Sequence, residues 1–115
     1  MIKKIAGVLT GGIILLYGCY NDKEEILYGN ITCDGNTSFA VNVNPIIQAN
    51  CAIPDCHATG STNGPGALTT YSQIKNVAVE IKSAVVSRFM PQTGSLTTGQ
   101  IKTISCWVDA GAPNN

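Results

Sequence analysis

The sequence predicts a small all-α domain of about three main helices joined by long loops, and three observations carry that prediction. Two capping boxes, Thr70-Tyr71-Ser72-Gln73 and Thr97-Thr98-Gly99-Gln100, each head a stretch whose apolar residues recur every three or four positions. A third start signal, Asn44 ahead of Pro45, opens Asn44–Asn50. Between these helical stretches, Ala58 to Ala67 is rich in Gly, Ser, Thr, Asn and Pro and reads as loop. With 44% hydrophobic and 12% charged residues, the chain has enough apolar side chains and too little charge to stay disordered. Its formal net charge is zero, so no basic excess exists to bind phosphates, and nucleic-acid binding is excluded as a function.

The N-terminal stretch has a different character. Met1-Ile2-Lys3-Lys4 is a short positive segment, followed by 13 apolar or small residues from Ile5 to Tyr17. That is too few to cross a bilayer, which takes about 20 residues, but it suits the apolar part of a signal peptide. Leu16-Tyr17-Gly18-Cys19 resembles a bacterial lipobox. The resemblance implies that residues 1–18 are removed and that Cys19 carries the lipid, giving a multi-acyl anchor to a bacterial membrane. An ordinary secretory leader with an incidental cysteine is the alternative. After Cys19, Tyr20 to Glu25 is polar and without apolar period, and residues 19–32 read as a tether. Within them Lys23-Glu24-Glu25 resembles a surface-export signal, against the simpler reading of a solvated linker. Loss of Lys3 and Lys4 would leave five basic against seven acidic residues, net −2. Residues 33–115 show no repeat and are read as one domain.

In that domain the first helix runs from the Asn44 cap toward Asn50. The second starts at Thr70 and puts Ile74, Val77, Ala78 and Ile81 on one face. The β-prone runs Val77-Ala78-Val79 and Ala84-Val85-Val86 predict that this helix is short or broken. The last helix starts at Thr97, carries Ile101, Ile104, Trp107 and Val108, and should stop at Gly111 with Pro113 just beyond.

Cys51-Ala52-Ile53-Pro54-Asp55-Cys56-His57 is the most informative segment. Two cysteines followed directly by histidine is the pattern of c-type haem attachment, here with four intervening residues instead of two. Two thiols add to the two vinyl groups of the porphyrin, and the residue after the second cysteine can place its imidazole on the iron. Three other uses of these residues are open at this level. A zinc ion could take Cys51, Cys56 and His57, although structural zinc prefers four ligands. Cys51 and Cys56 could be disulfide-bonded, or a Cys–His pair could act as a nucleophile and base. His57 is the only histidine, and Met90, in Phe89-Met90-Pro91, is the only methionine besides Met1. A gap-filling core methionine is the alternative role for Met90.

Together these residues make the chain resemble a class I-type cytochrome c, specifically the domain of a lipid-anchored monohaem bacterial cytochrome with an extended C-x4-C-H motif. Val43 to Cys51 resembles the helix leading into the motif, Thr70-Tyr71 the start of the next helix, Met90-Pro91 the distal ligand loop, and Gln100 to Ala112 the closing helix. The resemblance implies a cytochrome c-like fold around one covalent haem c, held by Cys51 and Cys56, with His57 and Met90 as its axial iron ligands. It departs from the family in the wide Cys–Cys spacing and the short link into Met90.

If Cys19 takes lipid and Cys51 and Cys56 take haem, Cys33 and Cys106 remain. An even remainder in an exported domain suggests a disulfide, with two buried thiols as the alternative. Gly64-Pro65-Gly66 resembles the family loop in which a proline carbonyl accepts the histidine's second ring N–H, so Pro65 is a candidate support for His57, or part of a plain turn. Arg88 is a candidate partner for a haem propionate, or a solvated surface arginine. The function implied is transfer of single electrons between redox proteins of the cell envelope, with no catalysis. Two alternatives stand beside it: a haem protein whose methionine ligand is labile, with peroxidase-like activity, and a haem-free surface lipoprotein stapled by disulfides.

Overall fold

The computed structural model describes residues 32–115. The expected signal peptide, the expected lipidation site at Cys19 and all of the expected tether but Thr32 lie outside them. Among the described residues the only regular structure is helical: a π-helical turn, Phe39–Val43, runs directly into α1 (Asn44–Asn50), and α2 (Tyr71–Asn76), α3 (Ala78–Val86) and α4 (Thr98–Asp109) follow. None of these helices is long and apolar enough to cross a membrane.

The chain enters its first helix earlier than the Asn44-Pro45 signal indicates. Ser38 is the cap, its hydroxyl accepting from the Val41 amide, and Val43 already has helical dihedrals. The reason is apolar spacing. Phe39, Val43 and Ile47 lie four residues apart, and all three are buried. Burying such a row contributes about 1.5–3 kcal/mol per large side chain, more than the preference for one cap over another.

Both capping boxes form as the sequence indicates. The Thr70 and Thr97 hydroxyls accept from the Gln73 and Gln100 amides, and each glutamine side chain reaches back to the cap backbone. The break anticipated in the middle helix falls at Val77 (φ −125°, ψ 27°), so the expected three main helices become four. α4 ends where Gly111 takes a left-handed φ of +94°, a conformation glycine adopts without Cβ strain.

The core joins these pieces around Trp107, which is fully buried. The Phe39 ring meets Tyr71 edge-on at 5.0 Å and lies 5.4 Å from Trp107. The polar ends of the two larger aromatics are satisfied by the chain beyond α4: Trp107 Nε1 donates to Pro113 O at 2.9 Å, and Tyr71 Oη donates to Ala112 O at 2.9 Å. α4 packs on α3 and on the π-helical turn. Cys33 and Cys106 are disulfide-bonded, with Cα atoms 5.5 Å apart, which ties the start of the domain to the last turn of α4.

Candidate functional site

α1 delivers Cys51 at its C-terminus, where the Cys51 amide donates to Ile47 O at 2.8 Å and the side chain is buried in the core. The next six residues form a closed loop. His57 N donates to Cys51 O at 3.0 Å and Cys56 N to Ile53 O at 3.1 Å, with Asp55 at a left-handed φ of 66° making the turn. Leu68 N donates to His57 O at 2.9 Å, and Gln48 Nε2 to Leu68 O at 3.1 Å, so the segment beyond the loop is tied back to both the motif and α1.

His57 is 6% exposed, and its Nδ1 lies 2.8 Å from Gly66 O. A carbonyl only accepts, so Nδ1 is the donor, and in the Nδ1–H tautomer the lone pair lies on Nε2. The support expected from Pro65 therefore comes from the next residue. Gly66 has φ +105°, a region that favours glycine, and it is the Gly66 carbonyl, not that of Pro65, which meets the ring. Pro65 lines the cleft beside it.

Cys51, Cys56, His57 and Met90 all line one cleft of about 580 Å³, within the range of cofactor pockets. One wall is α3, through Ile81, Ala84 and Val85, with Leu68 from the loop and Phe89 at the turn before Met90. Phe89 is 64% exposed, an unusual setting for a large aromatic side chain. Met90 is held close to α3 by its amide, which donates to Ala84 O at 3.1 Å.

Arg88 does not line this cleft. Its backbone turns at φ 59° and its guanidinium donates to Leu96 O at 3.0 Å, bracing the stretch between Met90 and α4. In this arrangement Arg88 braces a loop. The charged groups that do line the cleft are the carboxyls of Asp55 and Glu80.

Cys51 and Cys56 are free thiols, while the other described pair is bridged. Burial, with the Cys56 sulfur as a second cause, pushes the Cys51 thiol up from 9.0 to about 11. Among the described residues no three His, Cys, Asp or Glu side chains group closely enough to hold a metal ion by themselves, which gives zinc coordination by Cys51, Cys56 and His57 no geometry. The cleft thus offers two thiols able to add to alkenes, one imidazole nitrogen with a free lone pair, one thioether sulfur and an apolar wall.

Gly66, Asn63 and Ser61 were not singled out by sequence, because they act through hydrogen bonds that reach back five to nine residues to main-chain and ring atoms of the motif. Comparison with protein-family models, with curated proteins and with solved structures returns no match for this chain.

Proposed function

We propose that the chain is a monohaem c-type cytochrome that carries single electrons between redox proteins of the cell envelope, held to a bacterial membrane through lipid on Cys19. The observation that carries the reading is the donor set of one cleft. An imidazole with Nδ1 committed to a carbonyl, a methionine and two unbridged cysteines line the same apolar space. These residues fit a haem c. Cys51 and Cys56 would hold it as thioethers, and His57 Nε2 and Met90 Sδ would occupy the two axial positions. When bound, haem supplies a one-electron iron couple whose potential the axial ligands and the burial of the site set.

The chain's own residues account for the remaining requirements. Gly66 O fixes the His57 ring and raises its basicity as a ligand. Ile81, Val85 and Leu68 give the cleft an apolar wall that would keep water from a bound haem. If His57 and Met90 both hold the iron, no position would remain for peroxide, which is why electron transfer is proposed ahead of the peroxidase-like alternative.

Met90 is the point at which the reading is tested. In the oxidised holoprotein a methionine ligand should give a weak charge-transfer band at the red end of the spectrum. Met90→Ala removes the only sulfur ligand besides the cysteines, and no second histidine exists to replace it. The variant is expected to lose the band, drop in potential and bind carbon monoxide when reduced. A variant that keeps the band and the potential would show Met90 to be a packing residue.

A further inference from the structure

A four-residue spacer gives the two cysteines of the motif more relative freedom than a two-residue spacer would, and attachment at two points requires that freedom to be removed. Hydrogen bonds from outside the motif remove it. Asn63 Nδ2 donates to Asp55 O at 2.9 Å and to Cys56 O at 3.0 Å, spanning the left-handed turn at Asp55. Ser61 Oγ donates to the same Cys56 carbonyl, and the Asn63 amide donates to Ser61 Oγ at 3.2 Å. The main chain of Asn63 continues the network, because its carbonyl accepts from Gly66 N, and Gly66 O is the acceptor for His57 Nδ1. One residue is therefore bonded on its side-chain side to the turn carrying Cys56 and on its backbone side to the turn that orients His57. By contrast, the Cys51 amide is bonded to α1 through Ile47 O, with no bond to Asn63.

We infer that Asn63 is a positioning residue for haem attachment, whose carboxamide sets the Cys56 thiol at its distance from Cys51 and so makes the wide motif competent for two thioethers. The inference rests on the haem reading above. In each attachment a thiol S–H adds across a vinyl C=C: the sulfur bonds to the vinyl carbon next to the ring, the hydrogen ends on the terminal carbon, and the C=C π bond and the S–H bond break. No electron is gained or lost, so no oxidant enters. Geometry decides whether the second addition follows the first, and Cys56 is the sulfur whose position depends on Asn63.

The test uses the full chain produced in a bacterium with a c-type cytochrome maturation system. Asn63→Asp keeps shape but replaces the donating amide with an acceptor, which cannot bond a carbonyl. Asn63→Gln keeps the donor on a longer stem. Haem-bearing chains are denatured without reductant, labelled with iodoacetamide and mapped by mass, and the pyridine haemochrome band is recorded. The wild type is expected to take no label. Asn63→Asp should show a severalfold rise in singly attached haem, the label on Cys56 and not Cys51, and a red-shifted band from the surviving vinyl. Asn63→Gln should recover part of the double attachment. Two thioethers throughout in Asn63→Asp, or label spread evenly over Cys51 and Cys56 as general loosening would give, overturns the inference. If Asn63→Asp yields no haem-bearing chain, Asn63→Ala decides, since it removes both carboxamide bonds without adding a charge. A Cys56-labelled fraction supports the inference, and its absence overturns it. A wild type without covalent haem defeats the haem reading itself, a failure visible before any variant is compared.

Discussion

Two pairs of cysteines in one small domain have different fates, and their surroundings explain why. Cys33 and Cys106 meet where the chain enters the domain and α4 ends, beside a filled aromatic core of Phe39, Tyr71 and Trp107 whose polar atoms are bonded to the final residues. Cys51 and Cys56 sit across a loop that borders an open, apolar-walled cleft, and they are free. In the first region the covalent bond is a staple. The second keeps space, free thiols and unused donor atoms together. The two regions share α3, since Ile81 and Val85 belong to the core and also line the cleft. Packing in the first region thus supports the wall of the second.

The sharpest way to break this comparison is to exchange the fates of the pairs. Cys51→Ala or Cys56→Ala leaves at most one thioether and should collapse the yield of covalent haem to a small fraction of wild type. Normal yield and an unchanged spectrum in either variant would remove the motif from the account. Cys106→Ser acts on the other region. Opening a 73-residue loop should lower unfolding stability by about 4 kcal/mol in the chain-entropy estimate, read as a shift in denaturant midpoint. The haem spectrum should be kept, because neither sulfur borders the cleft. A lost spectrum in a variant that still folds would merge the two regions into one.

A smaller effect separates the pairs by acid–base chemistry in the haem-free chain. Burial holds Cys51 protonated up to about 11, whereas an unfolded cysteine ionises near 9. Between those values the folded chain binds more protons than the unfolded one, so stability should fall as pH rises from 9 to 11 and be level below that window. Alkylation of Cys51 should stay slow until the same range. A denaturant midpoint that does not move across the window, with Cys51 labelled readily at pH 9, would show the thiol to be solvated.

Much of the helical frame was legible in the sequence because it is written in local chemistry. Thr70 with Gln73, Thr97 with Gln100, the β-branched break around Val77 and the stop at Gly111 all act within a few residues. The start of the first helix was read too late, since Asn44-Pro45 is a strong local signal and the Phe39–Val43–Ile47 row needed to outweigh it is fixed by burial against α4. In the site, Cys51, Cys56, His57 and Met90 were identifiable from residue types in short supply. Their supports were not. Which carbonyl meets His57, and the bond from Arg88 to Leu96 O, depend on left-handed backbone at Gly66 and Arg88 that no pattern announces. Asn63 reaches back eight residues to Asp55 through a loop whose composition indicates only that it turns.

The central claim, that the cleft beside the free cysteines holds covalent haem while the other pair only staples the fold, is tested most directly by the wild-type chain exported with maturation machinery. Acid–acetone extraction followed by a pyridine haemochrome spectrum reads it in one preparation. The expected result is one haem per chain that stays with the protein on extraction, with the band of a haem whose two vinyl groups are saturated, and no titratable thiol after denaturation. A colourless protein with two free thiols, or haem that extracts completely, would contradict it.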